Sequence, residues 1–282
     1  MAMDALPEKL SRLPIWQGPV TLEPLHGGLT NLSYVAADRT GKYVVRCGDD
    51  IPVHHVFRDR ERATSRAAFE AGLSPEVVHV EPGIMVLRFI EGRTFVEADL
   101  AAELDRLVPL LKACHGEVGR RLRGPANIFW VFHVIRDYVR LIDGDRNYLA
   151  VADRLERLQV PLPIVFGHHD LLPGNLMDDG KRLWLIDWEY GAFGTAMFDL
   201  ANLSSNGNYT PAEDTRLLDA YFEGEVGSDL RRAFAAMKAA SSLREALWAM
   251  VSDVYLKTPG VDYKAHAREY LTRFERLRSC VG

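Results

Sequence analysis

Cysteine is scarce in this chain. Cys47, Cys114 and Cys280 are the three present, and none stands in a C-x-x-C pair, so neither a disulfide framework nor a zinc site is expected. Long apolar runs are missing too; nothing approaches the ~18 consecutive apolar residues that span a bilayer. The opening MAMDALPEKLSRL carries acidic residues and lacks the apolar centre of a signal peptide, so the cytoplasm is the expected compartment and no membrane insertion is expected. A basic surplus is also absent: the formal net charge is −5, which argues against nucleic acid as a partner and mildly favours a cationic one. No internal repeat or low-complexity tract occurs.

What remains is an ordinary globular balance, 48% hydrophobic and 26% charged over 282 residues, long enough for two joined lobes. The pattern changes once, near residue 92. Before it, residues 20–25, 32–38, 42–47, 76–80 and 84–90 read as five strands, and 58–71 as a helix closed by Gly72. After it, helical periodicity dominates: 97–118, 129–142 and 147–158, then further helices near 196, 212, 229 and 262. Between them NLMDDGKRLWLID reads as a hairpin turning at DDG.

The strongest local signal is His168-His169-Asp170-Leu171-Leu172-Pro173-Gly174-Asn175, an H-x-D-x-x-x-x-N pattern. Phosphoryl transfer needs a carboxylate at the acceptor hydroxyl and a hard oxygen on a metal, held by one rigid loop. Pro173 and Gly174 supply the sharp turn that lets one loop present both. Asp170 is therefore the expected base and Asn175 an expected Mg²⁺ ligand. Asp187 ends the second hairpin strand, and a hairpin returns the chain to its origin, so Asp187 is the expected second ligand. The protein expected is an ATP-dependent, Mg²⁺-dependent kinase of a small alcohol, on an α+β, protein kinase-like two-lobed fold. Residues 1–91 form the small antiparallel-sheet nucleotide lobe; residues 92–282 form the larger, mostly helical lobe carrying catalysis and acceptor binding. It is not a protein kinase, because G-x-G-x-x-G, V-A-I-K, D-F-G and A-P-E are all absent.

Gly27 and Gly28, followed by Thr30 and Asn31, offer backbone and side-chain donors to phosphate between two strands. Arg46 ends the third strand with a cation suited to phosphate, and Glu61 on the next helix is its candidate partner, in competition with Arg58 and Arg62. Backbone groups of Arg88, Phe89 and Ile90 are expected to read adenine. For a cationic acceptor, aromatic faces and negative charge are needed. The candidates are Trp188, Tyr190, Trp248 and Tyr255, with Glu189 and Glu245.

The segments GGLTNLSY, KYVVR, RDRE, GLSPEVV, FIEG, HHDLLPGN, LIDWEY and FDLAN occur in one order over about residues 20–205, with REALWAM at 244–250. In them the chain resembles the choline/ethanolamine kinase family, within the wider aminoglycoside-phosphotransferase-like group. The resemblance implies Mg-ATP, an amino-alcohol acceptor, the base role for Asp170, metal roles for Asn175 and Asp187, and a loop-holding role for His168 and Asp199. It also implies that Tyr190 and Trp248 belong to the aromatic cage around the acceptor cation. A kinase of another alcohol (an aminoglycoside, a sugar or an amino acid derivative) and a non-catalytic ligand-binding homologue remain as alternatives.

Overall fold

The computed structural model describes residues 6–25 and 31–281. Helix α1 (Leu6–Ser11) leads into an antiparallel sheet of β1 (Thr21–Leu25), β2 (Leu32–Asp38), β3 (Gly41–Cys47), β4 (Val77–Glu81) and β5 (Ile84–Arg88), with α2 (Arg58–Glu70) between β3 and β4. The spatial order is β1-β2-β3-β5-β4. All five strands and α2 lie where their alternation and periodicity place them. After α2 the chain reverses at Gly72, whose φ of +76° lies in the left-handed region.

Helix α1 is outside the expected elements, because six residues carry little periodic signal. It matters nonetheless: Leu6, Leu10 and Leu13 recur at helical spacing and are buried on alternate residues Tyr43, Val45 and Cys47 of β3 and Ile84 and Val86 of β5. That closes one face of the sheet. On the other side Val56, Ala67, Ala68 and Leu73 join the large apolar core of the helical part.

Past the sheet come β6 (Arg93–Thr94), α3 (Glu97–Ala102) and α4 (Leu104–Ala113), then a π-helical turn over Cys114–Val118 and α5 (Gly119–Arg121). The single helix expected over 97–118 is thus divided. Glu103, with φ −97° and ψ 19°, leaves helical geometry between α3 and α4, and the π turn widens the far end. Helices α6 (Val131–Leu141) and α7 (Asn147–Glu156) follow as expected. Strand β7 (Ile164–Gly167) then enters the H-x-D-x-x-x-x-N loop, β8 (Leu176–Asp178) and β9 (Leu183–Leu185) form the expected hairpin, and β10 (Ala192–Thr195) returns antiparallel to β7. β7 and β10, four residues each, are too short to be read from the sequence.

Helices α8 (Ala196–Asn206), α9 (Pro211–Phe222), α10 (Ser228–Tyr255) and α11 (Tyr263–Arg278) complete the chain. Helix α9 starts on a capping box, Thr210 with Glu213, with Pro211 at its first position. Helix α10 is buried on nearly all sides from Ala233 to Ser252, as befits a central helix flanked by α6, α8 and α11. Among the described residues no helix is long and apolar enough to cross a membrane.

Candidate active site

The loop from His168 to Asn175 is held from below by one stripe of α8. Asp199, Asn202 and Asn206 recur at i, i+3 and i+7, so they share a face. The Asp199 carboxylate accepts from the backbone N–H of His168 at 2.8 Å and of His169 at 2.7 Å. Asn202 accepts from Leu171 N–H at 2.6 Å, and Asn206 Nδ2 donates to the Leu171 carbonyl at 3.1 Å. A third bond to Asp199 comes from His115 Nε2 at 2.9 Å, out of the π-helical turn. Burial alone would raise the Asp199 carboxyl; the His115 bond and the surrounding histidines hold it far below the usual carboxylate range. Burial keeps His169 neutral, down to about 4, and lowers His168 as well. His168 Nε2 bonds the Ile186 carbonyl at 2.9 Å, and His169 stacks on Phe129 with centroids 4.5 Å apart.

This scaffold presents Asp170 almost fully buried. Burial pushes its carboxyl well above the ordinary range; Arg244 opposes that, and Glu245, Asp187 and Glu189 add to it. Asn175 clamps the loop, its Nδ2 donating to the Asp170 carbonyl and to Asp170 Oδ2, both at 2.9 Å. With its nitrogen so used, the Asn175 amide turns its oxygen elsewhere. The hairpin brings Asp187 alongside, since Ile186 N–H donates to the Asn175 carbonyl at 3.0 Å. Asp187 sits at φ +65°, a left-handed backbone uncommon for a non-glycine residue and typical of functional positions.

Asp187 Oδ1 accepts from Arg46 Nη2 at 2.7 Å. Arg46 Nη1 meets Glu61 at 3.0 Å, and Arg58 Nη1 reaches Glu61 at 2.5 Å and Glu189 at 3.0 Å. Glu61 therefore pairs with both arginines. Of this cluster, Arg46, Arg58 and Glu61 line a cavity of about 490 Å³ shared with Asn31, Asp49 and Met85. Glu189, expected beside the acceptor, faces these arginines instead; burial, then Asp187 and Glu61, push it up to about 7. The Arg46 charge is reinforced by Asp187, Glu61 and Glu189 against the cost of burial.

On the other flank of Asp170, Arg244 Nη1 lies 3.9 Å from Asp170 Oδ1 and donates to Glu245 at 2.8 Å. Glu245 also meets His266 at 3.0 Å. Burial would raise Glu245, but the His266 and Arg244 contacts keep it below its ordinary value. Trp248 Nε1 donates to the Tyr190 hydroxyl at 3.0 Å, and the Trp248 ring borders a cavity of about 400 Å³ with Asp262, Tyr263, His266 and Glu269.

The structure thus links Asp170, Asn175, Asp187, His168, Arg46 and Glu61 in one network of buried contacts, with Tyr190, Trp248 and Glu245 on its far flank. Besides Glu189, two expected acceptor residues go elsewhere. Trp188 is 1% exposed, bonds Ser74 at 3.1 Å and packs on the His168 ring, so it is core. Tyr255 is 48% exposed and bonds the Leu141 carbonyl at 3.0 Å at the end of α10. Of the expected adenine readers, the N–H of Arg88 is taken by the Glu76 carbonyl and that of Phe89 by the Lys42 carbonyl. Gly27, Gly28 and Thr30 lie outside the described residues. Sequence reasoning missed Asn202, Asn206 and Arg244. The signal for the first two was a polar stripe on a helix otherwise apolar.

Comparison with known proteins accords with this geometry. The model of the family described as "Phosphotransferase enzyme family" matches residues 21–238. Protein LicA of Haemophilus influenzae is 26% identical over 212 residues, covering 69% of this chain and 61% of that protein. A probable ethanolamine kinase of Arabidopsis thaliana is 50% identical over 215 residues, covering 64% of this chain and 55% of that protein. The match therefore spans roughly three fifths of these curated relatives' own length. A solved choline/ethanolamine kinase family protein from Mesorhizobium loti superposes with a TM-score of 0.77 at 29% identity, covering 98% of this chain and 95% of that one. The fold is the expected α+β, kinase-like one, and with a family match running from β1 into α10 this chain belongs to the phosphotransferase enzyme family.

Proposed function

We propose that this protein transfers the γ-phosphate of ATP to the hydroxyl of a small amino alcohol of the choline or ethanolamine kind, acting in the cytoplasm. The observation that carries the reading is the buried Asp170 clamped by Asn175 Nδ2 at 2.9 Å, with Asp187 brought beside Asn175 by the hairpin. Residues 1–91 hold the nucleotide, and residues 92–282 hold the catalytic loop and the acceptor.

Asp170 is the base. Its carboxyl is raised by burial, which makes it a better proton acceptor toward the attacking hydroxyl once ionised. Arg46, in place of a lysine, presents a planar fork to phosphate oxygens and is kept in position by Glu61. Asn175 and Asp187 fit a magnesium ion: both offer hard oxygens, the Asn175 amide is oriented by its bonded nitrogen, and the second Asp187 oxygen lies beyond the Arg46 bond. When bound, the ion supplies charge neutralisation to the phosphates. Nucleotide contacts from Gly27, Gly28, Thr30 and Asn31, and adenine contacts from Arg88–Ile90, complete the proposed site. The amino group of the acceptor is supported by the Trp248, Tyr263 and His266 rings, with Asp262 and Glu269 supplying negative charge to the same cavity.

The test is coupled ADP release with Mg²⁺-ATP over choline, ethanolamine, an aminoglycoside and small sugars. Turnover of an amino alcohol supports the reading. Turnover of the aminoglycoside or sugar alone moves the acceptor class, and ATP binding without turnover of any alcohol removes the catalytic reading.

A further inference from the structure

The cavity of about 400 Å³ where α10 and α11 meet has three ring walls, and one of them is an imidazole. The Trp248 ring stands 5.9 Å from Tyr263 at 67° and 6.0 Å from His266 at 60°, centroid to centroid. The acids of this cavity, Asp262 and Glu269, are both exposed. Asp262 caps α11 by accepting from Ala265 N–H at 2.8 Å, and Glu269 pairs with Arg273 at 3.3 Å. His266 is half-buried, and it is the polar group set into the wall itself.

The tautomer of that ring is set from behind. His266 Nε2 meets Glu245 Oε1 at 3.0 Å, and Glu245 Oε2 accepts from Arg244 Nη1 at 2.8 Å. Burial would raise Glu245, but these two contacts keep it ionised. A carboxylate has no proton to give, so Nε2 is the donor, and in the neutral imidazole the lone pair belongs to Nδ1. Nδ1 has no hydrogen-bond partner among the described residues and is not sealed in the core. The same Arg244 nitrogen lies 3.9 Å from Asp170, so one guanidinium nitrogen and one carboxylate separate His266 from the catalytic base.

We infer that His266 is a specificity-determining residue: its Nδ1 accepts a hydrogen bond from the acceptor's ammonium, so amino alcohols whose nitrogen carries hydrogen are preferred to the quaternary one. The inference rests on the proposed reading, in which this cavity takes the ammonium and Asp170 the hydroxyl. A quaternary nitrogen uses the Trp248 and Tyr263 faces but leaves Nδ1 without a partner. Protonated His266 has no lone pair to offer and repels either cation. The groups facing the ring are Glu245 with Arg244 behind it on α10, Tyr270, Glu269 and Arg273 on α11, and Asp262 at the cavity rim. Burial would lower the His266 pKa, but Glu245, then Glu269, lifts it above the ordinary histidine value, with Arg273 opposing. The accepting form therefore gains as pH rises past ~6.5, and the selectivity grows with it.

The series ethanolamine, N-methylethanolamine, N,N-dimethylethanolamine and choline changes the nitrogen alone, and only its last member lacks N–H. The full chain is assayed for kcat/KM with Mg²⁺-ATP at pH 6 and pH 8, and Kd is measured separately by calorimetry with AMP-PNP present. The expected result at pH 8 is a single drop of about tenfold or more between the dimethyl compound and choline, carried by KM. At pH 6 the drop should be smaller. H266F should remove both the drop and its pH dependence; H266Q, whose amide oxygen also accepts, should keep the drop and lose the pH dependence. The wild-type series stands even if neither variant folds. An even decline with each methyl group, choline equal to or better than the dimethyl compound, or a drop that survives in H266F overturns the inference and leaves the amino-alcohol kinase reading intact. Turnover of no member of the series removes that reading; the same drop in calorimetric affinity then supports His266, and equal affinities or no binding overturn its role as well.

Discussion

Arg46 joins the two lobes through its side chain, and replacing it has a calculable cost. Nη1 meets Glu61 at 3.0 Å on α2 while Nη2 meets Asp187 at 2.7 Å on the catalytic side. Arg46→Lys keeps the charge, but a compact ammonium cannot hold both carboxylates in that planar arrangement. If lysine keeps the ion pair to Glu61, the charge-assisted bond to Asp187, worth about 1.5–3 kcal/mol, is lost. At about 2–4 °C per kcal/mol for a chain of this size, the unfolding temperature should fall by roughly 3–12 °C. Arg46→Met removes the bond to Asp187 and the ion pair to Glu61 and leaves Arg58 alone against Glu61, Asp187 and Glu189, so breaking the buried pairs should cost about 3–5 kcal/mol. Glu189, pushed up to about 7, takes up a proton below neutral pH and eases that imbalance. The Met variant should therefore lose less stability at pH 6 than at pH 8. Scanning calorimetry at both pH values, with KM for ATP alongside, is the assay. A Lys variant that melts with the wild type and keeps its KM would refute the two-carboxylate role of Arg46.

Asp199→Ala removes three bonds from beneath the catalytic loop and should cost about 3–5 kcal/mol, read by urea unfolding. Because the folded pKa of Asp199 is depressed, its contribution is present above the unfolded value near pH ~4 and lost as pH falls below it; the difference between variant and wild type should shrink only in acid. Gly167→Ala places a Cβ 2.6 Å from His169 Nε2 and 3.0 Å from Asp199 Oδ2. It should destabilise by about 1–3 kcal/mol and lower kcat through the displaced loop; a normal melting curve would contradict the packing described. Trp248→Ala deletes the bond to Tyr190 and one wall of the proposed acceptor cavity, so KM for the acceptor should rise while KM for ATP holds, in steady-state kinetics.

The parts of the site legible in sequence are those fixed by local chain geometry. Asp170 and Asn175 share one tight turn, and Asp187 follows from a hairpin whose return is set by its length. Arg46 and Glu61 were legible because strand end and helix start are close in sequence, though Arg58 proved an equal partner of Glu61. What failed is side-chain direction past Asp187. The chain turns sharply there, so Trp188 is driven inward and Glu189 toward the arginines, while Tyr190 meets Trp248, the residue it was grouped with. Tyr255 shares a helical face with Trp248, but seven residues carry it about 10 Å along the axis to the surface. Arg244 was passed over because a lone arginine in an apolar helix gives no sequence sign of where its fork points. The α8 stripe carries a pattern, three polar residues at helical spacing, that can be sought in other chains.

The most direct measurement of the central claim is the turnover of Asp170→Asn beside the wild type, with AMP-PNP affinity measured in the same preparation. Asparagine keeps the shape and a hydrogen bond to Asn175 but cannot accept the proton, so kcat should fall by about 10²–10⁴-fold while nucleotide affinity is retained. Turnover within a few-fold of the wild type would contradict the account.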